Sequence, residues 1–351
     1  MKESIFLSDS MERLKAAPVL KLKDKDKVLV ISDFHMGDGG RLDDLRRNGD
    51  LLIDILEKRY LAEGWYLVLN GDIEELQRYR LHNIRRHWKK LYDIFDRFNE
   101  RGLLYKIVGN HDEDLKDEPN YPYKLYDALK IETNELPIFV FHGHQASQMY
   151  SKYNGLVRAS LRYLFSPLGI RNISSARSPS RRFHVEKYAY DFSRQYGVVS
   201  LIGHTHRALF ESLGRFDYIK FEIERLCHDY PLAEGENRER IEKEVKALRF
   251  ELGKLKRAEK RRSLQESLYG DELPVPCLFN SGSVIGKKGI TALELDKEHI
   301  ELVYWFTEGE GKNFVSRGAY VVEALEGTSR RRAVLNSDRL DYLKARRDLL
   351  G

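Results

Sequence analysis

Lys27–Ser32 reads KVLVIS and runs straight into Asp33-Phe34-His35, followed by Gly37, Gly39 and Gly40. A short apolar, β-branched run of this kind reads as a strand buried on both faces. The glycines and polar residues at its end belong to a loop. The same construction recurs down the chain. Tyr66–Asn70 (YLVLN) ends at Gly71-Asp72, and Leu103–Val108 (LLYKIV) at Gly109-Asn110-His111-Asp112. Ile138–Phe141 (IFVF) ends at His142-Gly143-His144, and Val198–Ile202 (VVSLI) at Gly203-His204-Thr205-His206. Helical patterns lie between the first strands, from about Leu42 to Tyr60 and from Tyr79 to Phe98. Strands alternating with helices predict an α/β fold. In open α/β sheets ligands bind at strand ends, so the chain is expected to collect Asp, Asn and His along one sheet edge.

Composition narrows the classes. A length of 351 residues suggests about two units at roughly 150 residues each. Lys and Arg number 60 against 55 Asp and Glu, a net charge of +5, which excludes a histone-like polycation. With 42% hydrophobic and 33% charged residues, the chain is too apolar for disorder and too charged for a membrane bundle. Nowhere does it offer the ~18 consecutive apolar residues of a membrane span, and Met1 to Lys27 has no apolar core for a leader. Cys227 and Cys277 cannot make a disulfide framework or a thiolate zinc site, and a reducing cytoplasm is the expected compartment.

The candidate site residues are Asp33, His35, Asp72, Asn110, His142, His204 and His206. Mixed carboxylate, amide and imidazole donors suit Mn, Fe, Zn or Ni better than Mg or Ca, which prefer all-oxygen sites. Seven donors exceed the needs of one ion, so two divalent ions are expected, with a carboxylate as the bridge whose two oxygens face both. Two such ions outweigh two carboxylates and a hydroxide, and the neutral Asn110 preserves that positive charge. A pair of this kind polarises a phosphoryl oxygen and generates hydroxide near neutral pH.

In this order, Asp-x-His, Gly-Asp, Gly-Asn-His-Asp, His-Gly-His and Gly-His-Thr-His resemble the motifs of the calcineurin-like metallophosphoesterases. The resemblance runs from Val28 to His206, with Asn280-Ser281-Gly282-Ser283 similar to the closing strand and turn. It implies a four-layer sandwich, two central mixed β-sheets flanked by helices. It implies one metal, Mn by preference, held by Asp33, His35, Asp72 and His206, and a second by Asp72, Asn110, His142 and His204. His111 matches the histidine that faces the substrate, where it would protonate the leaving oxygen or stabilise its charge. The fourth motif offers His142 and His144; the resemblance places the ligand at His142, directly after the strand. His144 is then a supporting or substrate-side group, or a surface residue. Asp112 reads as a partner orienting a histidine or as a helix cap.

The domain plan is a catalytic domain over 27–315, an extension over 1–26 and a basic tail over 316–351 that holds Arg330, Arg331 and Arg332. Two insertions decorate the domain. One, about 145–195, interleaves apolar and aromatic residues with Arg158, Arg162, Arg177, Arg181 and Arg182. Three readings fit it: an amphipathic helical pair with solvated arginines, a lid whose guanidinium groups clamp a diphosphate, or a basic contact with an anionic membrane face. Its position, and Ser178-Pro179-Ser180-Arg181-Arg182 leading toward the fifth motif, resemble the UDP-diacylglucosamine pyrophosphatases. The second insertion, about 222–272, sets this chain apart from that branch. It spaces Ile241, Val245, Leu248, Leu252 and Leu255 as a short heptad seam, the mark of a charged surface helix or a small dimerising coil.

The functional expectation is a dinuclear phosphoesterase that cuts a phosphodiester or diphosphate by attack of a metal-bridging hydroxide. Its substrate would be a phosphate-containing small molecule or a lipid-linked nucleotide diphosphate, reached from the cytoplasm or the inner face of a membrane. A nuclease or nucleotide phosphodiesterase is the alternative within enzymes. A non-catalytic binding scaffold is the alternative outside them.

Overall fold

The computed structural model describes residues 12, 15–146, 179–210, 219, 223, 226–227, 230–259, 275, 277–310 and 321–350. The chain divides into two units, one of residues 1–210 with 277–349 and one of residues 211–276.

The first unit is α/β with two mixed sheets, as expected. Its larger sheet is eight-stranded and its smaller sheet six-stranded. In chain order the strands are β1 (Val19–Lys21), β2 (Val28–Ile31), β3 (Tyr66–Asn70), β4 (Leu104–Ile107), β5 (Leu125–Tyr126), β6 (Ala128–Glu132) and β7 (Pro137–Phe141). They continue as β8 (Val199–Ile202), β9 (Leu209–Phe210), β10 (Leu278–Asn280), β11 (Ile290–Leu295), β12 (His299–Thr307), β13 (Val321–Ala324) and β14 (Arg330–Arg339). The larger sheet runs β13-β14-β12-β11-β2-β3-β4-β5 and the smaller β1-β6-β7-β8-β10-β9. Strands β2 to β5 pair in parallel, as do β7, β8 and β10.

Alternation along β2 builds two core layers at once. Leu29 and Ile31 pack with the helices α1 (Gly49–Ile55) and α3 (Lys89–Glu100), through Leu52, Ile55, Phe95 and Phe98. Val28 and Val30 point the other way, toward Ile138 and Val140 of β7 and Leu201 of β8. The period of two thus places one strand between a helical layer and a second sheet. On the far side of the smaller sheet lies α4 (Pro179–Tyr196), whose Phe192 ring is 5.7 Å from that of Phe139. The layers are therefore helix, sheet, sheet, helix.

Both long helices expected near the first motifs are broken. The first is a 3-10 turn at Leu45–Arg47, α1, and a π turn at Leu56–Leu61. The break comes at Asn48, whose amide donates to the carbonyls of Val284 and Gly286, the latter at 2.8 Å. The second divides at Trp88 into α2 (Leu81–His87) and α3. The Trp88 indole donates to Asp43 at 2.9 Å, and its ring fills the space a side chain at Gly49 would need. Tertiary anchors, invisible to periodicity, set both breaks.

The supposed basic tail is part of the larger sheet. It forms β13, β14 and a closing helix, α6 (Leu340–Leu350), and its three arginines are paired. Arg330 meets Asp54 at 2.9 Å and Arg331 meets Glu308 at 2.9 Å. Arg332 is buried at 5% exposure and grips Glu294 through Nε at 3.0 Å and Nη2 at 2.6 Å. Arg332→Met should lower stability by about 2 kcal/mol, because buried Glu294 loses its charge partner while Tyr60 still donates to it at 2.6 Å. A urea midpoint that drops at unchanged slope checks this.

In the second unit, α5 (Glu236–Glu259) supplies the expected helix of the 222–272 insertion. Ile241 is buried and Val245, Leu248 and Leu252 are half-buried between exposed charged positions, so the heptad seam is real as an amphipathic stripe. Arg238 caps the Tyr230 ring at 4.4 Å, and the Tyr230 hydroxyl donates to Glu242.

Candidate metal centre

The five motif loops come from both sheets rather than from one sheet edge. Strands β2, β3 and β4 bring Asp33 and His35, Asp72, and Asn110 to His111 from the larger sheet. Strands β7 and β8 bring His142 and His144, and His204 and His206, from the smaller one. Backbone bonds stitch the loops together. The N–H groups of Phe34 and His35 donate to the Asp72 carbonyl at 2.9 and 3.0 Å, Leu76 donates to His111 at 3.0 Å, and Gly203 donates to His142 at 2.9 Å.

Three of the motif glycines have a packing reason. A Cβ on Gly109 would lie 2.3 Å from Asp72 Oδ1, one on Gly71 2.4 Å from the His142 ring, and one on Gly203 2.4 Å from Ser32 Oγ. Each loop can approach its neighbour only where the side chain is missing. Backbone strain marks the same residues. Among the described residues, the non-glycine positions with left-handed φ are Asp33 (58°), His35 (46°), Asp72 (54°), His204 (63°) and His206 (54°). All belong to the motifs, and such conformations cost about 1–3 kcal/mol each, borne where a site demands them.

Three groups of side chains result: Asp33 with His35 and His206, Asp72 with His142 and His204, and His35 with Glu75 and His111. Within each, the donor atoms lie within 4.8 Å of one another. Asp33, His35, Asp72, Asn110, His111, His142 and His204 are all buried, while His206 is half-buried. Asp33 has one oxygen committed: Oδ2 accepts from Ser32 Oγ at 2.5 Å and from the His204 N–H at 3.0 Å. Its Oδ1 faces His206 Nε2 at 3.1 Å. Asp72 is divided the same way. Its Oδ1 accepts the His111 N–H at 2.8 Å, and Oδ2 lies 3.1 Å from His142 Nε2, 3.9 Å from His35 Nε2 and 4.0 Å from His111 Nε2. The expected carboxylate with an oxygen for each side is thus corrected: the single atom Oδ2 faces both groups.

Hydrogen bonds fix which nitrogen each imidazole presents. A carboxylate or carbonyl only accepts, so a ring nitrogen bonded to one carries the proton. His35 Nδ1 donates to Glu75 at 3.0 Å, His111 Nδ1 to Glu75 at 2.9 Å, and His142 Nδ1 to the Asn70 carbonyl at 2.8 Å. In the neutral rings each Nε2 lone pair then points inward. His35 Nε2 faces His206 Nε2 at 3.1 Å, and His142 Nε2 faces Asp72 Oδ2. Asp33 Oδ1 and His142 Nε2 are buried without a hydrogen bond. Lone pairs converging in this way need a cation or a proton between them, so the donor set fits divalent metal ions.

Without a metal, protons take that role. Burial disfavours the imidazolium of His142, but the Asp72 carboxylate outweighs it and raises the group to about 9. Burial likewise opposes charge on His111, yet Glu75 and then Asp72 push it up to about 10. Burial would raise Glu75, but His111 and His35 pull it down to about 2. His204 goes the other way: burial, then the positive His142, depress it to about 3, so it stays neutral. A metal held by His142 would have to displace its proton at neutral pH. Metal affinity should therefore climb with pH up to about 9 and then level, with proton release on binding. Calorimetry of Mn binding in buffers of different ionisation enthalpy checks the proton count.

Glu75 had no part in the motif reading, although it fixes two histidine tautomers. Its one sequence signal is its place three residues after Asp72. Asp112 orients no histidine and makes no side-chain cap. It accepts from Gly109 N–H at 2.6 Å, Ile73 N–H at 2.8 Å and Lys106 at 3.2 Å, joining the second and third loops. The His144 ring stands at the margin, 5.5 Å from that of His142 and 6.4 Å from that of His204. Arg158, Arg162 and Arg177 lie outside the described residues, as do the side chains of Arg181 and Arg182 on α4.

No family model and no curated protein matches the chain. It is similar to solved structures at low scores. YfcE, a phosphoesterase from E. coli, has 12% identity and a TM-score of 0.35, covering 90% of this chain and 99% of that one. A single mutant of Vps29 from Entamoeba histolytica has 13% identity and a TM-score of 0.34, covering 81% and 94%. An archaeal phosphodiesterase has 15% identity and a TM-score of 0.32, covering 79% and 99%. Likeness at this level decides nothing about chemistry, which the side chains of the centre must carry by themselves.

Proposed function

We propose that the protein is a dinuclear metal-dependent phosphoesterase acting on a phosphodiester or diphosphate bond. One observation carries this reading: ring nitrogens of His35, His206 and His142 and carboxylate oxygens of Asp33 and Asp72 converge in a buried, strained setting. Asp33, His35, Asp72 and His206 would hold one ion, and Asp72, Asn110, His142 and His204 the other, with Asp72 Oδ2 common to both. When bound, the pair supplies Lewis-acid polarisation of a phosphoryl oxygen and a water acidified toward neutral pH. Mn is the metal we propose, on the mixed oxygen and nitrogen donors.

The protein's own groups do the rest. Glu75 keeps the proton of His111 on Nδ1 and orients Nε2 toward the centre. A charged His111 can donate from Nε2 to the leaving oxygen and take up its developing charge. Ser32 and the His204 N–H hold Asp33 so that one oxygen stays available. A nucleotide-diphosphate-lipid is the substrate we propose from the resemblance, with the 145–195 insertion as its recognition element.

The test is metal removal and return. Dialysis against EDTA should abolish hydrolysis of an aryl phosphodiester, and Mn should restore it. Asn110→Ala should lower the restored rate at least 10²-fold, the scale for losing one polar group at a charged transition state. Activity indifferent to EDTA would sink the reading. A panel of nucleotide-diphosphate-lipid, cyclic nucleotide and single-stranded DNA, with Mn present, then separates the substrate classes. DNA affinity falling steeply with salt would favour the nuclease alternative.

A further inference from the structure

The turn from Gly203 to Arg207 bears a histidine for each ligand group, His204 beside Asp72 and His206 beside Asp33. Both hold left-handed backbone, at φ 63° and 54°. A turn bent this way persists only where its surroundings over-determine it. On one side Asn280, at the end of β10, donates to the Gly203 carbonyl at 2.9 Å and to Thr205 Oγ1 at 3.0 Å. On the other side stands Glu186 of α4, 1% exposed. Its Oε1 accepts from Thr205 Oγ1 at 2.8 Å and from Arg207 Nε at 3.2 Å, and its Oε2 accepts from Arg207 Nη2 at 2.5 Å. Thr205 lies between the two histidines and Arg207 directly follows the second. One buried carboxylate therefore grips the turn at its middle and at its exit.

We propose that Glu186 is a positioning residue for the metal centre, holding the His204–His206 turn so that one imidazole enters each ligand group. This rests on the dinuclear reading above. The physical case is that a hydroxyl and a guanidinium fork on one carboxylate fix position and orientation together. Glu186 belongs to the helix that ends the 145–195 insertion, outside all five motifs. The insertion thereby contributes to the centre through its last helix.

Glu186→Ala and the near-isosteric Glu186→Gln separate positioning from folding. Groups that orient metal ligands typically contribute 10–100-fold in metal affinity. Glu186→Ala should lose roughly that much Mn affinity, and Glu186→Gln, which keeps an acceptor for Thr205 but no charge for Arg207, less. In the wild-type protein the spin-coupled Mn pair should give an exchange-broadened electron paramagnetic resonance signal; in the variants the signal of isolated Mn should grow. Ser193→Ala is the control for helix packing. Ser193 is on the same helix, buried, and donates to Ser200 Oγ at 2.6 Å, away from the turn. It should lower the melting temperature and leave Mn affinity unchanged.

Wild-type affinity and a coupled signal in both Glu186 variants would overturn the proposal. Equal loss in Ser193→Ala would also overturn it, by reducing the effect to helix docking. A wild-type protein that binds no Mn pair would instead bring down the dinuclear reading, and this inference with it.

Discussion

On the proposed dinuclear reading, Asp72→Ala is expected to reduce bound Mn from two ions to one or none and to lower turnover by about 10³-fold or more, roughly 4 kcal/mol of transition-state stabilisation. One atom of Asp72 approaches both ligand groups. Oδ2 of Asp72 lies 3.1 Å from His142 and 3.9 Å from His35, while Oδ1 anchors the His111 backbone at 2.8 Å. Removing the carboxylate deletes a shared donor and frees the loop that carries His111. It also strips His142 of the negative charge that chiefly keeps it protonated in the metal-free protein, and His111 of a second such charge beside Glu75, so both should titrate lower. Metal content by elemental analysis, with rates measured at saturating Mn, checks the result. Full activity with two ions bound would refute the role given to Asp72.

Lys106→Met should destabilise the protein by about 3–5 kcal/mol without touching a ligand, the scale for removing one member of a buried ion pair. Lys106 is 1% exposed and donates to Glu74 at 2.6 Å and to Asp112 at 3.2 Å. Glu74 also accepts from Tyr92 at 2.9 Å and Tyr121 at 2.7 Å. With a thioether in place of the ammonium, two buried carboxylates would face each other without a cation. Burial disfavours the Lys106 charge, but Glu74 and Asp112 outweigh it and hold the group above its usual 10.5. The sign follows. Its stabilisation is complete below about 10.5 and fades as pH rises through the higher folded value. The deficit of the variant should therefore be constant across neutral pH and shrink only at strongly alkaline pH. Denaturant midpoints at neutral and alkaline pH test this, and an unchanged midpoint at pH 7 would contradict it.

Arg332 and Lys106 show why charge was the least legible property of the sequence. Arg330, Arg331 and Arg332 read as a basic tail because three like charges in a row suggest solvent and repulsion. In the fold they alternate along β14, and each finds a carboxylate from a distant segment. Lys106 lies within LLYKIV, which reads as a strand like the others. Its partners, Glu74 and Asp112, stand at the ends of β3 and β4, and only strand pairing unites them. The helix breaks at Asn48 and Trp88 have the same origin, since local periodicity holds no record of an anchor far away in the chain.

The sequence by itself determined the five motif strands and the residues at their ends. Burial on both faces demands continuous apolar runs, and close loop approach demands glycine at Gly71, Gly109 and Gly203; both leave marks that can be read locally. Only the tertiary structure decided that the motif loops come from two sheets, that Asp72 offers one oxygen to both groups, and that Glu75 directs two imidazoles. These depend on which donors meet across a gap between distant segments. A hydrogen bond or ion pair that spans such a gap has no period, and so no signature, along the chain.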